Sequence, residues 1–99
     1  MGKQVIITGG AGLLGRQWAG ALTEAGHEAS SYDLPCSVLN RKCLMALPAY
    51  DALICAAAID NPPMSDSKSP WSGWQDIVDV NLTGVKNTCE IIGGAMAER

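Results

Sequence analysis

The sequence predicts an α/β fold, a small parallel sheet with helices packed on it, and three observations carry that expectation. Two short apolar runs, QVIIT at Gln4–Thr8 and ALICAA at Ala52–Ala57, read as strands buried on both faces. A glycine-rich turn joins the first run to a stretch of helical periodicity. A second strand-like segment follows that stretch, which completes a β-turn-α-β unit.

Each element has its own warrant. Val5, Ile6 and Ile7 are adjacent β-branched residues, the type that packs best on a pleated surface. After the turn, Leu14, Trp18, Ala21, Leu22 and Ala25 recur at helical spacing. Gly26 stands where a left-handed C-cap belongs. Glu28–Tyr32 is the second strand and ends at Asp33. Between Asp33 and Asp51 the pattern is weaker. Ser37 is placed to cap a short helix with Leu39, Cys43, Leu44 and Leu47 as its apolar positions, and Pro48 is placed to end it. Ile59–Pro70, with three prolines and three serines, is a loop. Ser72-Gly-Trp-Gln75 has the S-x-x-Q form of a capping box, so a long helix over 72–97 is expected to start there. Ile77, Asn81, Gly84, Val85, Thr88, Ile92 and Ala95 form one small, mostly apolar stripe along it. Gly93-Gly94 weakens its last turns. Trp71 and Trp74 read as core or interface anchors.

Composition bounds the function. The 99 residues suffice for one small domain, and 47% apolar content is ordinary for a globular chain. The net charge of -3, with scattered Lys and Arg, argues against nucleic acid or an anionic membrane as partner. No apolar stretch approaches the roughly 20 residues of a membrane span, and no secretory signal fits ahead of the first strand. Cysteines stand at 36, 43, 55 and 89 without C-x-x-C spacing. They are expected to be free, buried thiols in a reducing cytoplasm. His27 is the only histidine, so no metal site is expected.

The chemistry lies in Thr8-Gly9-Gly10-Ala11-Gly12-Leu13-Leu14-Gly15. Gly10, Gly12 and Gly15 satisfy G-x-G-x-x-G between a strand and a helix. The first glycine lets the chain turn, the second lets a diphosphate approach the backbone, and the third lets the helix pack close to the strand. Free N–H groups at the helix start then face the anion. Asp33, 18 residues beyond Gly15, ends the second strand. A carboxylate there accepts hydrogen bonds from the adenine ribose of NAD and repels the 2′-phosphate of NADP, which makes NADP the less favoured cofactor. A P-loop is excluded, because Arg16-Gln17 stands where Gly-Lys-Ser/Thr would be needed.

These residues resemble the short-chain dehydrogenase/reductase family. Thr8-Gly9-x-x-Gly12-x-x-Gly15 is similar to its T-G-x-x-G-x-x-G turn, especially that of the extended branch. Asp51–Ile59 (DALICAAAI) resembles its fourth strand, and Trp74–Asn81 with Leu82-Thr83-Gly84 resembles the helix carrying V-N-x-x-G. The resemblance implies a partial, Rossmann-like doubly wound sheet of about three strands, with residues 1–99 forming one NAD(P)-binding domain that is a fragment of a full member. It implies that Gly9, Gly10, Gly12, Leu14 and Gly15 form the diphosphate turn, that Asp33 holds the adenine ribose, and that Ala56, Ala57 and Ala58 line the adenosine side. Asn81 matches an asparagine with a supporting role in catalysis.

The departures are as informative. The family's catalytic tyrosine and lysine stand as Y-x-x-x-K, and neither Tyr32 nor Tyr50 has a lysine four residues on. The family's catalytic serine would come after Arg99. The stretch from Asp33 to Asp51 is short for the helix, third strand and helix of a full member, so either that strand is lost or Asp33 belongs to a different strand end. The expected function is therefore a dinucleotide-binding portion of an oxidoreductase, not catalytic by itself. Two alternatives stand beside it: a self-associating interaction module, and a half-enzyme completed by another chain. A homo-oligomer is expected through the 72–97 helix and the exposed edge of the last strand.

Overall fold

The computed structural model describes residues 2–33, 36–58 and 70–98. Three strands, β1 (Gln4–Thr8), β2 (Glu28–Tyr32) and β3 (Ala52–Cys55), form one parallel sheet in the order β2-β1-β3. Thr8 lies opposite both Tyr32 and Cys55, so the three C-terminal strand ends are level. This is the partial Rossmann-like arrangement. Among the described residues no strand lies between Asp33 and Ala52, and β2 and β3 are both edges.

β1 is the buried centre: Val5, Ile6, Ile7 and Thr8 are all sealed from solvent. β3 is not buried on both faces as its apolar sequence predicts. It ends at Cys55, its first three residues are half-buried and Cys55 is exposed, because a neighbour pairs with it on one side only.

Helix α1 (Leu13–Glu24) leaves β1 through the glycine turn. Its C-terminus closes as expected: Gly26 has φ +90°. The Gly26 N–H donates to Thr23 O at 3.0 Å and the His27 N–H to Leu22 O at 2.9 Å, which is a Schellman closure. His27 in turn accepts the Lys3 N–H on Nδ1 at 2.9 Å, a structural use of the lone imidazole. The predicted apolar stripe of α1 is a correction. Only Gly15 is buried; Leu14, Trp18, Ala21 and Ala25 are exposed and Leu22 is half-buried. Gly15 packs against Gly9 and Gly10 of the turn, while most of the helix's larger side chains face solvent.

Helix α2 (Arg41–Met45) is capped by Asn40, not Ser37: Asn40 Oδ1 accepts the Cys43 N–H at 3.2 Å. Ser37 Oγ instead accepts the Leu39 N–H at 3.0 Å, a local turn that precedes the helix.

Helix α3 runs from Pro70 to Ala97. It is α-helical over Pro70–Val78, Gly84–Thr88 and Gly94–Ala97 and widens into π turns at Asp79–Thr83 and Cys89–Gly93. It starts at Pro70, whose missing N–H is no loss in a first turn, so Ser72 lies within the helix and not ahead of it. Gln75 reaches forward, donating from Nε2 to Asp79 Oδ1 at 2.7 Å. The predicted loop before it otherwise lies outside the described residues, as does the Trp71 side chain; Trp74 is exposed. Each π turn inserts a residue and rotates the stripe that follows. Gly84, Thr88 and Ile92 are buried as the stripe predicts, Asn81 and Ala95 are exposed, and Asn87 is buried unforeseen.

The core lies on one face of the sheet, where Ile6 and Tyr32 meet Val38, Leu44 and Ile92. The four cysteines are free, but Cys36, Cys55 and Cys89 are exposed and Cys43 half-buried. The buried-thiol expectation fails because Cys55 is on the open edge strand and Cys36 on a surface loop. No helix among the described residues is long and apolar enough to cross a membrane.

Candidate functional site

The site forms where the three strands end. At Gly9 the chain leaves β1 with φ +72°, a conformation that side chains with a Cβ rarely adopt. The Gly9 N–H donates to Tyr32 O at 2.9 Å, and the Ala56 N–H donates to Thr8 O at 3.0 Å. The buried Thr8 hydroxyl also accepts the Ala57 N–H at 3.4 Å. These bonds seat the 56–58 segment against the glycine turn so closely that a Cβ on Gly9 would lie 2.8 Å from Ala57 Cα.

The turn then closes on itself. The Gly12 N–H donates to Gly9 O at 3.0 Å and the Arg16 N–H to Gly12 O at 2.9 Å. A Cβ on Gly15 would strike Gly9 O and come within 2.7 Å of Gly10 Cα. Gly15 is thus the close-packing glycine that the motif requires. Gly12, the N-cap of α1, offers no side-chain cap, and the first turn has no acidic residue. The leading N–H groups of α1 have no acceptor within the helix, and Gly12, at the positive end of its dipole, lines the cleft.

Asp33 approaches this turn from the end of β2. Its carboxylate accepts the Ala11 N–H at 3.1 and 3.2 Å, on Oδ1 and Oδ2, and the Ser31 hydroxyl on Oδ2. Two donors leave lone pairs on both oxygens, so a diol still finds acceptors there.

A cleft of about 250 Å³ opens between these elements. It brings together six of the sequence-predicted residues: Gly9, Gly12, Asp33, Ala56, Ala57 and Ala58. The others lie elsewhere. Gly10 turns toward the Ser31 side chain, Gly15 is packed beneath Gly9, and Leu14 projects outward, 60% exposed. Asn81 is exposed in the first π turn, outside the lining, while its neighbour Val80 is in it. The sequence reading missed Tyr32, Cys36, Ser37 and Val38 on the opposite wall. Their signal was adjacency to Asp33: among the described residues no strand lies between Asp33 and Ala52, and Cys36, Ser37 and Val38 line the cleft instead.

Two groups on this wall are held in their neutral forms. Burial, with Cys43 and Cys36 nearby, pushes the Tyr32 phenol up to about 12. Its hydroxyl donates to Ser37 O at 2.8 Å. The Cys36 thiol is raised by its interaction with Cys43. Neither is a ready base or nucleophile at neutral pH. The wall therefore offers shape and apolar surface. The polar groups at the cleft are Asp33, Ser37 and the leading backbone N–H groups of α1. Among the described residues no cluster of His, Cys, Asp or Glu could hold a metal ion.

No protein-family model and no curated protein matches the sequence. Solved structures do. An aldohexose dehydrogenase from Thermoplasma acidophilum superposes with a TM-score of 0.80 at 20% identity, over 99% of this chain and 46% of that one. A serine dehydrogenase from Escherichia coli gives 0.78 at 18%, over 97% and 57%. A short-chain dehydrogenase/reductase superfamily protein from Agrobacterium tumefaciens with bound NAD gives 0.74 at 22%, over 94% and 30%. Nearly the whole chain shares the fold of these dehydrogenases, and it spans between about a third and just over half of their lengths.

Proposed function

We propose that residues 1–99 act as one dinucleotide-binding unit of the short-chain dehydrogenase/reductase type, with NAD as the favoured cofactor and NADP less so. The observation that carries this reading is the convergence of Gly9, Gly12, Asp33 and Ala56–Ala58 on one cleft at the carboxyl ends of parallel strands, the place where open α/β sheets bind ligands. The residues fit the group. The glycines leave the turn's backbone bare for a diphosphate, Asp33 retains acceptors for a ribose diol, and small alanines flank an opening sized for the adenosine portion. When bound, NAD supplies hydride chemistry. The chain's own part is to hold the cofactor: Asp33 repels a 2′-phosphate, and the α1 N-terminus faces the diphosphate.

No Y-x-x-x-K stands in the sequence, and the two perturbed acids of the cleft stay protonated. The unit binds without transferring hydride by itself. Asn81, in the exposed π turn, has a supporting role at most. NADH fluorescence titration tests the reading: wild-type protein is expected to bind NADH more tightly than NADPH, and Asp33→Asn to narrow that preference about tenfold. No response to millimolar NADH would sink it.

A second reading concerns assembly. Leu13, Leu14 and Trp18 on α1, and Trp74 and Leu82 on α3, are exposed, and β3 has one paired side. Large exposed apolar groups and open edges mark surfaces that other chains cover. We propose a homo-oligomer through the 72–97 helix and the β3 edge, in a reducing, cytoplasmic setting compatible with four free thiols. Light scattering that shows a well-folded monomer would rule it out.

A further inference from the structure

Asn87 on α3 is 6% exposed and does not line the cleft, yet it grips the segment that does. Its Nδ2 donates to Val38 O at 3.2 Å, and its Oδ1 accepts from Arg41 Nη1 at 2.6 Å. The geometry admits one orientation of the amide. Arg41 can only donate and a carbonyl can only accept, so Oδ1 must face the guanidinium and Nδ2 the carbonyl. The charged donor polarises the amide and strengthens its bond to Val38. A carboxylate here would keep Arg41 and repel the carbonyl. An apolar side chain would strand the buried Val38 carbonyl, while the exposed Arg41 would keep Glu90 at 3.9 Å.

Val38 is itself wedged. It is 6% exposed and lines the cleft on one side. Behind it lies Gly84, where a Cβ would collide with the Val38 side chain. The preceding carbonyl, Ser37 O, is taken by the Tyr32 hydroxyl at 2.8 Å and by the Asn40 N–H at 2.9 Å. No strand or helix fixes residues 36–40. The Cys36 N–H donates to Asp33 O at 2.9 Å, and two successive carbonyls are then tethered, one from β2 and one from α3. Asn87 and Gly84 together therefore decide how far Val38 stands into the opening.

We infer that Asn87 is a positioning residue for adenine-nucleotide binding: by holding Val38 O while Gly84 leaves room behind the side chain, α3 sets the width of the slot that receives the adenine ring. This rests on the dinucleotide reading. The ring is the flat apolar part of the ligand beyond the ribose, and Val38 is the apolar wall beyond Asp33. The consequence is selective. Disturbing the tether weakens ligands that carry adenine and spares those that do not.

The test uses Asn87→Asp, which retains an acceptor for Arg41 and loses the donor to Val38, and Gly84→Ala, which pushes Val38 from behind and leaves the tether intact. Three readings are taken on folded protein: amide exchange at residues 36–40 without ligand, and ligand-observed NMR affinity for AMP and for nicotinamide mononucleotide. Asn87→Asp is expected to speed exchange at 36–40 at least tenfold and to weaken AMP about tenfold, with nicotinamide mononucleotide unchanged. Gly84→Ala is expected to weaken AMP by a similar factor. Equal weakening of both nucleotides, or wild-type exchange and AMP affinity in both variants, overturns the inference. If wild-type protein binds neither AMP nor NADH, the dinucleotide reading falls and the adenine slot with it. The exchange reading then reports separately whether Asn87 holds the loop. If Asn87→Asp does not fold, Gly84→Ala decides by the same AMP and mononucleotide comparison.

Discussion

The two faces of the sheet are built by opposite means. On one, Ile6 and Tyr32 are covered by side chains: Val38 from the loop, Leu44 from α2 and Ile92 from α3. On the other, Val5 and Ile7 alternate away from Ile6 and lie under α1, which buries only Gly15. A helix that docks by a glycine brings its backbone close and leaves its large side chains outside. The first face is a closed core that also shapes the cleft wall. The second presents the diphosphate turn and leaves Leu14 and Trp18 exposed. The comparison teaches that side-chain packing closes one face, while at the other a backbone approach at Gly15 shapes the binding turn.

The sharpest way to break this comparison is to change one buried residue on each face. Leu44→Ala on the closed face is expected to destabilise by about 3 kcal/mol, since Leu44 is almost wholly buried and its loss leaves a cavity. Urea denaturation of the two proteins measures it. Gly15→Ala comes next, at about 2 kcal/mol, because the new methyl meets backbone atoms that cannot rotate aside. The same variant should abolish NADH binding.

Tyr32 sharpens the picture of the closed face through pH. Its phenol titrates near 12 in the folded state and near 10 unfolded. Between those values the unfolded chain releases a proton that the folded chain keeps, so stability falls as pH rises from 10 toward 12. Wild-type protein is expected to lose roughly 1 kcal/mol relative to Tyr32→Phe between pH 9 and pH 11, read from paired denaturation curves. A parallel decline in the two proteins would show that Tyr32 is not buried as described. Asn40→Ala removes the α2 cap at a cost of about 1 kcal/mol, visible in the same assay.

The smallest effect belongs to the open face. Leu14→Gln should change stability by less than about 0.5 kcal/mol, as exposed substitutions do, yet it should shift the oligomer toward monomer if α1 contributes to assembly. Sedimentation at several concentrations separates the two outcomes.

Much of this was legible in the residues alone, for physical reasons. Adjacent β-branched residues marked β1 as a strand covered on both faces, because such a run packs well where both faces are buried; its central place came from the sheet order. The glycine spacing located the turn, and the left-handed cap at Gly26 ended α1, since these are local backbone requirements. Asp33 was placed at the strand end by counting. The tertiary structure decided what depends on distant neighbours. Whether β3 is buried depends on strands beside it. Which residues of α3 point inward depends on two π turns that shift the helical phase. On the opposite cleft wall, Val38 is held by an asparagine 49 positions further on. A local pattern encodes local conformation, but a contact between segments so far apart in the chain exists only once both have been packed against the same sheet.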